Sequence, residues 1–421
     1  MLSVCRLQER KPATAVQEAQ RRPYRFVLLG LVLLVQGSFA LSFMSAPPLF
    51  TMIMEDYGLA RATASLMVGL PVLMMGLLSL PFSLLASRVG LKQTYAAGAF
   101  LVATGILIPF ASSFPMLLAL RVLLGLGMAV VAPLGWPILM PWFQPRTYPL
   151  ISTVTAVWAS LSVTLAMFVS VPLADAVGWQ NAMGLFAAVA LLAAVAWLVL
   201  GRVTPTPASS RATSIRETLA MARQRNTLVL GLGLAGAFSF YTAMTSWLPT
   251  YYFEVRGMTQ EAAGRLTGLL PFVGMAGTIA GGVLASVVGR RRPFLIVLGV
   301  GMSAAGLGAF LTEAPLLYLS VVVMGFFSWM YQPSAFTLPM ELPGMTPQKL
   351  GVMLATALGI GNLATFFSPL LVGAIADASG SYVPGLAVVS GLAVLLSLAG
   401  YLLPETGPKG KSRSVPAKAV S

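Results

Sequence analysis

Stretches of about 20 consecutive apolar residues, each long enough to cross the roughly 30 Å hydrocarbon core of a bilayer as a helix, constrain this chain more than any other feature. Twelve of them begin near Phe26, Ser65, Tyr95, Pro115, Ile151, Asn181, Thr227, Gly264, Pro293, Leu316, Leu350 and Tyr382. With 57% of residues apolar and 9% charged, against roughly 45–50% and 25% in soluble domains, the chain is too greasy for water. Hydrocarbon offers the backbone no hydrogen-bonding partner, so the runs must be helices. The expected fold is an all-α membrane protein of 12 transmembrane helices. Residues 1–25 precede the first run, which continues without a small-residue cleavage site, so it reads as a retained helix and not a signal peptide.

Charge placement orients the spans. Of 26 Lys and Arg, all but Arg61, Arg121, Arg256 and Arg265 fall on the side holding residues 1–25, the loops after even-numbered spans and the last residues. Seven of the 12 acids (Glu55, Asp56, Asp175, Glu254, Glu261, Glu313 and Asp377) fall on the other side. The bias of Lys and Arg toward cytoplasmic loops predicts both termini inside a cell membrane, with a bacterial inner membrane as the expected location. One missed span would scramble this alternation.

Several function classes are excluded by what is missing. Cys5 is the single cysteine and histidine is absent, which removes disulfides, thiol chemistry and the commonest metal ligand. No carboxylate pair shares a helix, so no enzyme site can be assembled, and neither a metal nor a cofactor is expected. The net charge of +14 is strung between hydrophobic spans and forms no basic face for nucleic acid. The expected partners are a small-molecule substrate and the lipid bilayer, and the expected state is a monomer. No Asp or Glu lies mid-span, so proton coupling lacks a carrier. Facilitation, exchange of like-charged solutes, and symport through a span-end carboxylate stay open.

The chain repeats itself. Ser83–Lys92 after span 2 matches Gly282–Arg291 after span 8 at an offset of 199, Ser42-Phe43 matches Ser239-Phe240, Pro71 matches Pro271, Pro133 matches Pro333, and Ala174-Asp175-Ala176 matches Ala376-Asp377-Ala378. Two six-span halves in the same orientation, with a cavity between them, follow from such a duplication. The expected organisation is a tail over 1–25, one bundle over 26–201, a central loop over 202–226, a second bundle over 227–403 and a tail over 404–421.

These residues resemble the major facilitator superfamily. The family's loop motif after span 2, Gly-x-x-x-Asp-Arg-x-Gly-Arg-Lys, is met here by Ser83, Ser87, Arg88, Gly90 and Lys92, and in the second half by Gly282, Ser286, Gly289, Arg290 and Arg291. Arg121, Gly125 and Gly127 reproduce its Arg-x-x-x-Gly-x-Gly motif in span 4, and Gly178-Trp179 its step into span 6. The resemblance implies alternating access between two bundles, with the loop motifs as gating clasps. Serine in place of the aspartate replaces a charge-assisted bond by a neutral one and weakens the clasp. Span 5, Ile151–Pro172, contains no glycine, unlike the glycine-rich span 5 of proton-driven drug exporters. The Trp247-Leu-Pro-Thr-Tyr segment is similar to cyanate, nitroimidazole and related small-anion porters.

Candidates for the substrate cavity follow from polar groups placed mid-span. Arg121, a charge costing roughly 2.5–3.5 kcal/mol on insertion scales, is a counter-charge for an anion or, equally, a snorkelling anchor. Ser42 and Ser45 in span 1, Tyr241, Thr242 and Thr245 in span 7, and Trp136, Tyr331 and Gln332 beside the prolines of spans 4 and 10 are expected to line the path. There, freed carbonyls and polar tips can face water. Asn362 in span 11 fits the cavity or helix contact equally. Trp247, Tyr251 and Tyr252 fit an interfacial aromatic belt better. The function expected is transport of a small organic or inorganic anion, the alternative being export of drug-like or other neutral organic compounds.

Overall fold

A peptide group in hydrocarbon has only its own helix to bond to, and the computed structural model of the chain shows each apolar run resolved in that way. It describes residues 12–143, 147–203, 220, 222–345 and 347–407, some of them by backbone alone. Arg146, most of the expected central loop, Cys5 and the end of the C-terminal tail lie outside those residues. The twelve spans are Pro23–Tyr57, Arg61–Ser79, Leu91–Phe110, Phe114–Trp142, Leu150–Val177 and Trp179–Leu200 in the first half. Arg225–Glu254, Gln260–Val288, Arg292–Leu311, Leu316–Met340, Val352–Ser379 and Val383–Leu402 follow in the second. Each begins within four residues of its expected start.

Two spans are interrupted beside prolines, which lack the N–H that the carbonyl four residues earlier needs. Span 1 is interrupted after Met44, turns through a 3₁₀ segment at Pro47–Leu49, and resumes as Phe50–Tyr57. Span 10 is parted at Tyr331, two residues before Pro333. Span 4 departs from expectation. Its helix runs unbroken over Phe114–Leu139 past Pro133 and Pro137, and tightens only at Met140–Trp142.

An even number of spans leaves both terminal segments at one end of the molecule, the tail end; Arg61, Glu254 and Asp377 mark the far end. The halves meet along two seams, span 2 against span 11 and span 5 against span 8. Glycines let the backbones approach. A methyl group at Gly373 of span 11 would lie 2.8 Å from the Ala62 backbone nitrogen of span 2, and one at Gly268 of span 8 would lie 2.5 Å from the Phe168 ring of span 5.

The apolar core is distributed unevenly. At the far end it is continuous across both halves, joining Phe50, Ile53, Met67 and Leu117 to Trp247, Leu248 and Ala376. The tail end of the first half has its own separate cluster around Leu28, Val32, Tyr95, Val131, Leu134 and Trp197.

Candidate functional site

Arg121 is 1% exposed, and its guanidinium is spent on backbone carbonyls of its own half. Nε donates to Met67 O at 2.7 Å, Nη1 to Ser42 O at 2.8 Å and Nη2 to Phe43 O at 2.9 Å. The choice of acceptors has a covalent cause: Pro71 cannot donate to Met67 O, and Pro47 cannot donate to Phe43 O. The arginine thus caps carbonyls that proline frees in spans 1 and 2. Snorkelling to the interface does not occur, and in this conformation the side chain does not face an open path. A void of about 10 Å³ adjoins it, lined among others by Ser42, Val102, Gly105 and Leu124.

Polar bonds between the halves gather at the far end. The Asp377 carboxylate of span 11 accepts from the backbone N–H groups of Arg61 at 3.1 Å and Ala62 at 2.9 Å, which open span 2. The Arg61 guanidinium donates to Glu254 at the end of span 7 at 3.0 Å and lies 3.7 Å from Asp377. Its Nε donates to the Tyr382 hydroxyl, which itself donates to Glu254 at 2.8 Å. Burial pushes the Tyr382 hydroxyl above its ordinary range, so it stays protonated and able to donate. Beneath this layer, Pro369 O of span 11 accepts from Ser65 of span 2 and Trp247 of span 7. On the other seam, Gln260 of span 8 donates to Pro48 O and Thr51 of span 1. In the sequence Arg61 and Glu254 count only as topological charges, and Asp377 also as one member of the duplicated Ala-Asp-Ala segment. Opposite charges at the ends of spans 2, 7 and 11 were the available signal, but nothing in the order of residues shows that those ends meet.

The two loop motifs at the tail end are built differently. Arg88 is exposed and Lys92 half-buried, Gly90 turns the chain at φ 110°, and the side chain of Ser87 lies outside the described residues. In the second half Arg291 is buried, bonded to Glu341 at 2.8 Å and to Ala285 O at 2.8 Å, while the Glu405 carboxylate accepts from its backbone N–H. Glu341, near the end of span 10, is that arginine's partner. Ser286 bonds back to Val283 O of its own helix, Gly289 takes the left-handed φ of 65°, and Arg290 is exposed.

The expected cavity residues separate by what their polar atoms do. Ser45 and Thr245 are 0% exposed and bond their own helix carbonyls. Thr242 is buried, as is Ser42, whose hydroxyl has no partner. Tyr331 is 1% exposed and belongs to the core, contrary to its expected place on an open path. Trp136 and Gln332 are half-buried. Asn362 sits in the seam, where a methyl group at Gly76 of span 2 would meet its Cβ at 3.0 Å. Tyr241 is half-buried, its hydroxyl is unbonded, and its ring meets Trp329 of span 10 edge-on at 5.7 Å. The expected aromatic belt is corrected: Trp247, Tyr251 and Tyr252 are 0%, 3% and 0% exposed. The two tyrosines donate to Phe310 O and Ala309 O of span 9, because an interior hydroxyl finds a carbonyl where an interfacial one finds water.

Comparison with known proteins agrees with this architecture. A profile of the Major Facilitator Superfamily matches residues 32–361. The cyanate transport protein CynX of Escherichia coli strain K12 is 24% identical over 352 residues, covering 80% of this chain and 87% of that protein. The 2-nitroimidazole transporter of the same strain is 25% identical over 395 residues, covering 89% and 95%. Among solved structures, a bacterial homolog to the human lysosomal transporter Spinster, in an inward-facing and unoccupied conformation, aligns with a TM-score of 0.73 at 18% identity. That alignment covers 90% of this chain and 96% of the other.

Proposed function

The chain belongs to the major facilitator superfamily, and from that membership we propose a porter of small anions that works by alternating access between its two bundles. It is a multi-pass membrane transporter and not an enzyme. In this reading it lies in a bacterial inner membrane with both termini in the cytoplasm, so the far end is outermost and the structure is closed to the outside. The observation that carries the anion reading is a one-sided polar inventory: no Asp or Glu stands mid-span, while hydrogen-bond donors do. A cationic solute would find no counter-charge there. The relative that bears cyanate in its name supports the same class. Arg121 contributes through the scaffold of spans 1 and 2, since its donors already serve carbonyls. Without a mid-span carboxylate, exchange or facilitated movement of anions suits the chain better than proton symport.

The relative described as a 2-nitroimidazole transporter keeps neutral organic solutes as the second reading. Thermal stabilisation of the purified protein by cyanate or nitrite, followed by counterflow of the same anion in proteoliposomes, tests the first. A ligand present at 100 times its Kd adds about 2.7 kcal/mol. Stabilisation and flux with 2-nitroimidazole alone would transfer the assignment to neutral organic compounds.

A further inference from the structure

Burying a hydrogen-bond donor without a partner forfeits its bond to water with nothing in exchange, so unpartnered donors inside a membrane helix bundle call for an explanation. The Tyr241 hydroxyl and the Trp329 indole nitrogen are two of them, both shielded and, beyond the approach of the indole to the phenol oxygen, without a partner. They belong to one cluster, the indole meeting the phenol ring edge-on at 5.7 Å and 89°. Their helices place them at mid-depth. Tyr241 lies 13 residues from the end of the Arg225–Glu254 helix, about 20 Å at 1.5 Å per residue, and Trp329 lies 13 residues into the span that opens at Leu316.

The placement of the indole is specific. Span 10 turns Phe327 toward Gly301 of span 9 but Trp329 toward Gly274 of span 8, where a methyl group would lie 2.9 Å from Nε1. Glycine at 274 leaves the room that the indole occupies. Neither Tyr241 nor Trp329 is fully buried as a residue, although the polar atom of each is shielded.

We infer that Tyr241 and Trp329 form the anion-holding element of the substrate site, using two neutral donors in place of a charged side chain. This rests on the anion-porter reading above. The indole N–H can only donate, and a phenol can donate to any lone pair. Together they suit a ligand that presents lone pairs and no N–H of its own, such as cyanate, nitrite or a small carboxylate. A purely donating solute would find only the phenol oxygen as acceptor, and a cation would meet no carboxylate there. Neutral donors also suit turnover, because they bind an anion without the desolvation penalty of a second buried ion. Binding must be strong enough to admit the solute and weak enough to release it. Arg121, fixed to Met67, Ser42 and Phe43, leaves this task to other groups.

The test uses the full chain in proteoliposomes with labelled nitrite and with labelled cyanate. Tyr241→Phe and Trp329→Phe each remove one donor and keep a ring. Each is expected to raise the KM for the transported anion about tenfold, the effect of losing one charge-assisted hydrogen bond. The melting temperature of the anion-free protein should stay within about two degrees, which separates ligand contact from a packing role. Unchanged KM in both variants, with wild-type protein carrying an anion, would overturn the assignment and leave the anion-porter reading standing. Loss of flux accompanied by a lower anion-free melting temperature in both would make the pair structural and overturn it as well. Wild-type protein that carries 2-nitroimidazole but neither anion would overturn the porter reading, and the donor assignment with it.

Discussion

Arg121 shows how a single residue can be identified by type while its role stays open between two alternatives. Its position in a span and its Arg-x-x-x-Gly-x-Gly spacing were legible, and the cost of a buried charge made it a candidate for binding. The carbonyls it holds were also implicit in the sequence, since Pro47 and Pro71 each deprive one carbonyl of its helical donor. What the sequence lacked was the geometry that brings span 4 against both breaks. Removing the arginine leaves the buried Met67 and Phe43 carbonyls open, at about 1–3 kcal/mol each, while Ser42 O keeps its bond from Ser45. Arg121→Ala is therefore expected to lower the melting temperature of ligand-free protein by several degrees. Arg121→Lys should recover only part of that, because one ammonium cannot reproduce the fork that reaches three carbonyls. An Ala variant that melts like wild type but fails to transport would return Arg121 to the substrate site.

At the level of helices, the two ends of the molecule are fastened differently. The tail-end motif of the first half has serine where the family's aspartate stands, whereas the far end joins the halves through Asp377, Arg61, Glu254 and Tyr382. Each exposed ion pair contributes only about 0–1 kcal/mol. The carboxylate over two backbone N–H groups at the start of span 2 adds helix capping, typically about 1 kcal/mol. Asp377→Asn and Arg61→Ala should thus shift the protein toward opening at the far end, read as a longer spin-label distance between the ends of spans 2 and 11. No change in that distance would show that the apolar contacts around Trp247 and Phe50 hold the far end alone. Gly373→Ala should open it further, because the added methyl would lie 2.8 Å from the Ala62 nitrogen, a backbone atom that cannot swing away. The duplicated Ala-Asp-Ala segments show where repeat logic stops. Asp377 caps the first residues of span 2, but Asp175 is exposed, and span 8 opens on its own cap, with Thr259 accepting from Ala262 N–H. The repeats share an ancestral pattern, and each seam has settled its helix ends in its own way.

For the molecule as a whole, the orientation expected from charge can be measured directly, since Cys5 is the single native thiol. In a Cys5→Ser background, a membrane-impermeant maleimide applied to intact cells should label Glu313→Cys and leave Arg290→Cys unlabelled. The reverse pattern would invert the topology and make the closed far end cytoplasmic. The number of spans, their positions to within a few residues, the duplication and the family were all determined by the sequence, because each depends on local hydrophobicity or on order along the chain. The partners that Arg121, Asp377, Glu341 and Trp247 bond were decided only by the tertiary structure. Within a bilayer a polar group has only the protein to bond to, and the partner it finds depends on which helices lie side by side, a relation between distant segments that no local pattern encodes.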